Sequence, residues 1–129
     1  YYYRALAFLD AEDDDALRLT LAETVEGWGY RALATANGVE ALAVLDTPGT
    51  HVDLVLSDVV MPQMGGVRLL NTLHERRSPL PLVLMTGHPL GEQLEGLYAR
   101  GLFRWLPKPL ATHELAQILA EGIGRHRHA

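Results

Sequence analysis

The sequence predicts an α/β protein with a doubly wound parallel sheet and helices on both faces. Its apolar runs have the length of buried strands and fall at residues 4–11, 30–35, 52–57, 81–86 and 103–106. Segments of helical period follow each run. Strict alternation of strand and helix, joined by right-handed crossovers, is typical of parallel sheets that bind ligands at the carboxyl ends of their strands.

The first two helices are predicted from residue spacing and from end signals. Apolar residues recur at helical spacing over residues 16–28, and Gly29 follows as a C-terminal cap would. Asn37-Gly38 opens the second helix, which continues through Leu45. It ends before Pro48, because proline has no amide hydrogen to continue the helical ladder.

The last three helices follow the third, fourth and fifth strands. The third begins at Gly66 and carries leucines at helical spacing on its inner face. The fourth, over residues 91–100, is shorter and less amphipathic, so we expect it to be mobile. Thr112 is suited to an N-cap and begins a fifth helix that fades beyond Gly122.

Length and composition limit the classes of function. We expect one domain over residues 1–129, with a core at about 4–122 and a frayed tail over 123–129. The net charge of -5 disfavours direct nucleic-acid binding. No apolar run approaches the roughly 20 residues of a membrane-spanning helix, so we expect no membrane insertion and a cytoplasmic location. The lack of Cys excludes disulfides and leaves oxygen or imidazole as metal ligands.

Acidic residues follow the first and third predicted strands. Glu12 and Asp13 come after the first apolar run, and Asp58 comes directly after the third. Because the carboxyl ends of parallel strands meet at one edge of a sheet, we expect these carboxylates to lie close together. Like charges that are grouped in this way require a cation, and oxygen ligands suit Mg²⁺.

Two further polar residues end the fourth and fifth strands at the same edge. They are Thr86 and Lys108, and Lys108 is the single lysine among 11 basic residues. An ammonium group is a compact point charge that suits one phosphate oxygen. A carboxylate nucleophile, Mg²⁺, a hydroxyl and an ammonium together can form and stabilise an aspartyl phosphate. The strand ends therefore predict phosphoryl-transfer chemistry.

These ordered motifs resemble the receiver domain of two-component response regulators, a family with a flavodoxin-like fold and strand order 2-1-3-4-5. The stretch LVLSDVVMPQMGG at residues 54–66 is similar to the family's phosphoacceptor segment. LMTG, which contains Thr86, and LPKP, which contains Lys108, are similar to its other two motifs. Thr86 lies 28 residues after Asp58, and Lys108 lies 22 residues after Thr86, as is typical of the family.

The resemblance implies a role for each of the residues at the strand ends. Asp58 matches the phosphoacceptor, and Thr86 and Lys108 match the residues that contact the transferred oxygens. The implied cofactor is Mg²⁺, and its protein ligands match three carboxylates and one backbone carbonyl, from Glu12, Asp13, Asp58 and Val60.

The first strand leaves one assignment open. Asp10 occupies a position where the family usually has an apolar residue, so the register of this strand relative to the motif is in question. We expect Glu12 and Asp13 to be the acidic pair. The alternative pair is Asp13 and Asp14.

The implied function is a phosphorylation-dependent signalling switch, which takes part in its own phosphotransfer and autodephosphorylation but has no separate substrate. Asp58 receives the phosphoryl group from a phosphohistidine on a histidine kinase or a histidine phosphotransfer domain. Thr86 and Trp105 match the switch residues, and His88 matches a position that tunes access of water. The face formed by helix 4, strand 5 and helix 5 then changes its affinity for a downstream protein. A homodimer through the fourth and fifth elements is left open.

Two other functions are compatible with parts of the pattern. One is a Mg²⁺-dependent phosphatase or phosphotransferase of the haloacid dehalogenase type, although its Asp-x-Asp motif on the first strand fits poorly here. The other is a degenerate receiver that only docks onto a partner. The sequence also fits either a stand-alone regulator or a receiver from a larger chain such as a hybrid histidine kinase.

Overall fold

Strands and helices alternate along the whole chain. The protein is seen here as a computed structural model that describes residues 3–8, 15–35, 38–48, 52–59, 65–87, 90–108 and 111–127. The elements are β1 (Tyr3–Phe8), α1 (Asp15–Gly27), β2 (Tyr30–Thr35), α2 (Gly38–Leu45), β3 (Leu54–Asp58), α3 (Gly66–Glu75), β4 (Leu82–Thr86), α4 (Gln93–Ala99), β5 (Leu102–Pro107) and α5 (Thr112–Arg127).

The five strands form one parallel sheet in the order β2-β1-β3-β4-β5. This order confirms the predicted doubly wound fold. The chain moves outward from β1 to β2 and then crosses to β3 on the other side of β1, so a crevice is expected between the carboxyl ends of β1 and β3. No helix among the described residues is both long and apolar enough to cross a bilayer.

A hydrophobic cluster covers each face of the sheet. Helices α1 and α5 pack on one face, and α2, α3 and α4 pack on the other. Every residue of β3 and β4 is buried, as expected for central strands of a parallel sheet that are covered on both sides. Apart from Ser57, Asp58 and Thr86, these two strands are apolar. The polar residues therefore occur only near the carboxyl ends of the two strands.

Two elements differ from their predicted bounds by three or more residues. The first strand ends at Phe8 in the structure, and the predicted continuation to residue 11 lies outside the described residues. Helix α5 does not fade at Gly122 but continues to Arg127, so part of the expected frayed tail is helical. The buried residues Leu119 and Ile123 flank Gly122 and hold this part of the helix against the sheet.

Candidate functional site

Asp58 is the last residue of β3, in the middle of the sheet. The preceding Leu54, Val55, Leu56 and Ser57 are buried, and Asp58 itself is only 3% exposed. Burial of a carboxylate without a compensating charge or hydrogen bonds is strongly unfavourable. The position of Asp58 therefore requires a partner, and the structure provides one.

Lys108 is that partner. Its Nζ donates a hydrogen bond to Oδ2 of Asp58, and the two groups form an ion pair. The side chain of Lys108 is 26% exposed, whereas that of Asp58 is 4% exposed. The lysine is thus the more accessible member of the pair. A charge-assisted bond of this kind is stronger than a neutral hydrogen bond and holds both side chains in place.

Two backbone hydrogen bonds fix the residues that follow β3 and β5. The amide of Val59 donates to the carbonyl of Met85, and the amide of Lys108 donates to the carbonyl of Thr86, each at 2.9 Å. Pro107 pairs with Thr86 in the sheet but has no amide hydrogen, so Lys108 continues the hydrogen bonding between β4 and β5. The ends of the three strands are therefore held in register.

Thr86 is the last residue of β4. This strand lies between β3, which carries Asp58, and β5, which precedes Lys108. Thr86 is 6% exposed, and its neighbour Met85 pairs with Asp58. The structure thus brings Asp58, Thr86 and Lys108 to the same edge of the sheet, as the sequence predicts. The set offers an oxygen nucleophile, a hydroxyl and a cation that can stabilise a transferred anion.

Gly66 is a residue whose importance to the site the sequence did not reveal. Its amide donates to the carbonyl of Val59 at 3.2 Å, which folds the start of α3 back over the end of β3. A Cβ atom on Gly66 would lie 2.5 Å from the backbone oxygen of Asp58 and 2.6 Å from Cδ2 of Leu84. Only glycine fits this contact. The Gly-Gly pair at residues 65–66 ends the stretch that resembles the phosphoacceptor segment, but the sequence alone does not indicate this steric requirement.

Ser57 contacts the same backbone oxygen from within the strand. Its Oγ donates to the carbonyl of Asp58 at 3.1 Å, and the residue is fully buried. The imagined Cβ of Gly66 would also lie 3.0 Å from this Oγ. The carbonyl of Asp58 is therefore enclosed by Ser57 and Gly66, which limits movement of the backbone that carries the carboxylate.

Trp105 lies on β5 opposite Leu84 of β4. It is half-buried and packs against the cluster on the α2–α3–α4 face, which includes Leu97 of α4. The indole is thus in contact with the side of the sheet that α4 covers. Its role as a switch residue stays a prediction.

Part of the predicted site lies outside the described residues. This holds for three of the predicted magnesium ligands, Glu12, Asp13 and Val60, and for His88. It also holds for Asp10 and for Asp14, so the choice between the two acidic pairs stays open. Within the described ranges, no group of three or more His, Asp or Glu side chains is placed to hold a metal ion.

Comparison with known proteins decides the family. The model of the response regulator receiver domain matches residues 8–120. The chain belongs to this family. The match covers most of the chain and includes Asp58, Thr86 and Lys108, and it gives no support to the dehalogenase-type phosphatase.

Related receiver regions occur within longer signalling proteins. The chain is 36% identical over 110 residues to the sensor kinase CckA of Brucella abortus, covering 85% of this chain and 12% of that protein. It is 33% identical over 118 residues to the DNA-binding transcriptional regulator NtrC of Salmonella typhimurium, covering 90% of this chain and 24% of that protein. The receiver domain thus spans at most about a quarter of the length of these two relatives.

Solved structures show the same fold. A CheY-like receiver domain protein from Methanospirillum hungatei superposes with a TM-score of 0.86 at 23% identity, covering 99% of this chain and 98% of that chain. The receiver domain of the sensor histidine kinase PA1611 from Pseudomonas aeruginosa has a TM-score of 0.74 at 24% identity, covering 96% of this chain and 99% of that chain. In that protein a magnesium ion is coordinated in the active-site cleft.

Proposed function

We propose that this receiver domain is a phosphorylation-dependent switch that accepts a phosphoryl group on Asp58. The observation that carries the proposal is the ion pair between Asp58 and Lys108 at the carboxyl edge of the sheet, beside Thr86. A buried carboxylate that is held by one accessible cation can act as a nucleophile while its charge stays balanced. Family membership supports the same chemistry.

The transfer that we propose uses a phosphohistidine as donor. An oxygen of the Asp58 carboxylate attacks the phosphorus atom, a P–O bond forms, and the P–N bond breaks with its electron pair returning to the imidazole. Hydrolysis of the aspartyl phosphate then restores the carboxylate and releases inorganic phosphate. This autodephosphorylation needs no separate substrate. His88, two residues after Thr86, is proposed to influence how readily water reaches the phosphoryl group.

Lys108 and Thr86 are proposed to recognise the product. The ammonium of Lys108 pairs with the Asp58 carboxylate before transfer. After transfer it can donate to a phosphoryl oxygen, because the negative charge then lies on the phosphoryl group that is bonded to the same carboxylate. The Thr86 hydroxyl lies at the end of the neighbouring strand and supplies a second donor. The two residues therefore distinguish the phosphorylated from the free state.

The cofactor that we propose is Mg²⁺. The donor chemistry fits as far as the structure describes it, since Asp58 offers a buried carboxylate at the edge where the ion is expected. Glu12, Asp13 and the carbonyl of Val60 are the further proposed ligands. When bound, the ion neutralises negative charge on the phosphoryl oxygens during transfer. The magnesium in the PA1611 receiver is consistent with this assignment.

The output that we propose is a change in protein affinity. A new bond from Thr86 to the phosphoryl group favours one arrangement of the end of β4 and of α4, against which Trp105 packs. The surface formed by α4, β5 and α5 would then favour or release a downstream protein. A histidine kinase or a histidine phosphotransfer domain is the proposed donor, in keeping with the receiver region of CckA.

Intact-mass spectrometry tests the proposal. The protein is incubated with Mg²⁺ and acetyl phosphate, with a chelator control and the variants Asp58→Asn and Asp53→Asn. Asp53 is also buried but immediately precedes β3, at the opposite end of the strand from Asp58, so it is a matched control. We expect one phosphoryl adduct that needs Mg²⁺ and Asp58 and is retained in Asp53→Asn. Absence of any adduct would favour a degenerate docking receiver, and steady phosphate release without Asp58 would favour a phosphatase.

A further inference from the structure

A small cavity lies at the edge of the sheet opposite to that of Asp58. It has a volume of about 70 Å³ and is placed between the carboxyl ends of α3 and α4, and we call it the α3–α4 cavity. Gly101, which lines it, immediately precedes β5, whereas Asp58 stands at the carboxyl end of β3. The cavity and the phosphoacceptor are therefore at opposite edges of the parallel sheet.

The lining of this cavity is apolar at its base and cationic at its rim. Leu70 and Leu73 are buried, with exposed fractions of 2% and 5%, while the polar residues around them are more exposed. These polar lining residues are His74, Arg77, Ser78 and Arg100. No carboxylate is among the described residues that line it. In a chain with a net charge of -5, this is a local concentration of positive charge.

Arg100 is fixed in position at the rim. Its Nε donates to the carbonyl of Gly96 at 3.1 Å, and one terminal nitrogen donates to Oδ1 of Asn71 at 2.6 Å. The first bond caps the end of α4, and the second joins α4 to α3. Of the groups described, none engages the other terminal nitrogen of the guanidinium. The guanidinium of Arg100 is thus held in place, and its second terminal nitrogen can still donate hydrogen bonds.

Arg77 adds a second guanidinium to the lining of the cavity, beside the imidazole of His74. Within the described part of the chain, neither side chain forms a hydrogen bond or an ion pair, whereas nearby Arg76 pairs with Asp46. Arg77 also has a φ of 55°, in the left-handed region that glycine or asparagine favours after a helix. Arg77 is exposed, so its guanidinium is accessible to an anion from solvent.

Backbone hydrogen bonds satisfy the last carbonyls of α3, which reduces the unfavourable effect of this helix end on an anion. The last carbonyls of α3 accept hydrogen bonds from the amides of Arg76, Arg77 and Ser78, at 3.0 to 3.1 Å. The Oγ of Ser78 accepts a bond from the amide of Leu80 at 3.2 Å, which leaves its hydroxyl hydrogen to donate. The cavity therefore offers one hydroxyl and several N–H donors to an acceptor.

We propose that the α3–α4 cavity is an anion-binding site that takes a single carboxylate or another compact oxyanion such as phosphate. A water molecule needs about 10–15 Å³ of cavity, so about 70 Å³ accommodates roughly five atoms of that size. Acetate and phosphate have this size. The bound anion would bridge Arg77 and Arg100 and reinforce the link that Arg100 makes between α3 and α4.

Amide chemical shifts measured by NMR test the site directly. The protein without Mg²⁺ is titrated with sodium acetate and, separately, with inorganic phosphate, at constant ionic strength set by sodium chloride. We expect saturable shifts at Ser78 and Gly101. The test variant is Arg77→Gly, which removes the cation and suits the positive φ, so it is expected to fold. Arg68→Gln is the matched control, because Arg68 is an exposed arginine of α3 that does not line the cavity.

The outcomes separate the site from general ionic effects. Arg77→Gly should weaken binding by at least about threefold, as expected for a partly exposed charge, and Arg68→Gln should leave it unchanged. Tighter binding of phosphate than of acetate would assign the site to phosphate-type oxyanions, and the reverse would assign it to carboxylates. Shifts that match those with chloride, that persist in Arg77→Gly, or that occur only around Lys108 would overturn the proposal.

Discussion

Lys108 pairs with Asp58 across the carboxyl edge of the sheet, although 50 residues separate them in sequence. The carboxylate is almost completely buried and the ammonium is partly accessible. Before any phosphoryl group arrives, the cation therefore already lies where new negative charge would develop. This is electrostatic preorganisation, because little rearrangement is needed during transfer.

Removal of this cation is expected to destabilise the fold. Lys108→Met removes the cation that pairs with the buried Asp58 carboxylate, which should lower the free energy of unfolding by about 1–3 kcal/mol. The loss should be smaller when Asp58→Asn is also present, because the buried charge is then absent. Urea unfolding in EDTA of the parent protein, the two single variants and the double variant should give a coupling energy between the two substitutions of at least about 1 kcal/mol. Additive effects of the two substitutions would contradict the ion pair.

Gly66→Ala is expected to disturb the phosphoacceptor. The new Cβ would lie 2.5 Å from the backbone oxygen of Asp58, so either α3 or the end of β3 must move. We expect a loss of stability of about 1–3 kcal/mol and slower phosphorylation by acetyl phosphate. Gly27→Ala is the control, since its Cβ would meet no atom within 4 Å. Equal phosphorylation rates in Gly66→Ala and wild type would show that the contact does not position Asp58.

Two glycines of α5 provide a test of the helix packing. A Cβ on Gly122 would lie 2.4 Å from Cδ1 of Leu54, whereas one on Gly124 would meet nothing within 4 Å. Gly122→Ala should therefore destabilise the protein by about 1–3 kcal/mol. Gly124→Ala should stabilise it by up to about 1 kcal/mol, because alanine favours the helix. Chemical denaturation measures both, and similar effects at the two positions would refute the packing of α5.

Thr86→Val should separate phosphorylation from its readout. Valine has nearly the same shape but no hydroxyl, so Asp58 should still be modified while the bond from Thr86 is lost. Addition of Mg²⁺ and beryllofluoride, an analogue of the phosphoryl group, should change the fluorescence of Trp105 in the parent protein and not in Thr86→Val. Both proteins carry Trp28→Phe, which removes the only other tryptophan in the sequence, so that the fluorescence comes from Trp105 alone. An undiminished response in Thr86→Val would exclude this coupling.

The strand ends could be predicted because they depend on local pattern and on a general rule of topology. Asp58, Thr86 and Lys108 each follow or end an apolar run, and parallel strands bring their carboxyl ends to one edge. The order of the strands in the sheet was predicted from the family resemblance, and the structure confirms it.

The close contacts could not be predicted, because they depend on how elements approach one another. The steric need for Gly66 arises only when the first turn of α3 meets the end of β3. The fifth helix does not fade beyond Gly122 as expected, although glycine disfavours helices, and a Cβ atom on Gly122 would lie 2.4 Å from Cδ1 of Leu54. Tertiary contact outweighed local propensity at this position. The link between Arg100 and Asn71 likewise joins two helices whose contact no sequence pattern specifies.

The central claim is that Asp58 is the residue that is phosphorylated. After incubation with Mg²⁺ and acetyl phosphate, borohydride reduces an aspartyl phosphate to homoserine, and peptide mass spectrometry then locates the altered residue. We predict homoserine at position 58 and unchanged aspartate at Asp53, which is a buried acid of the same region. Homoserine at another acidic residue, with Asp58 unmodified, would contradict the proposed role of the Asp58–Lys108 pair.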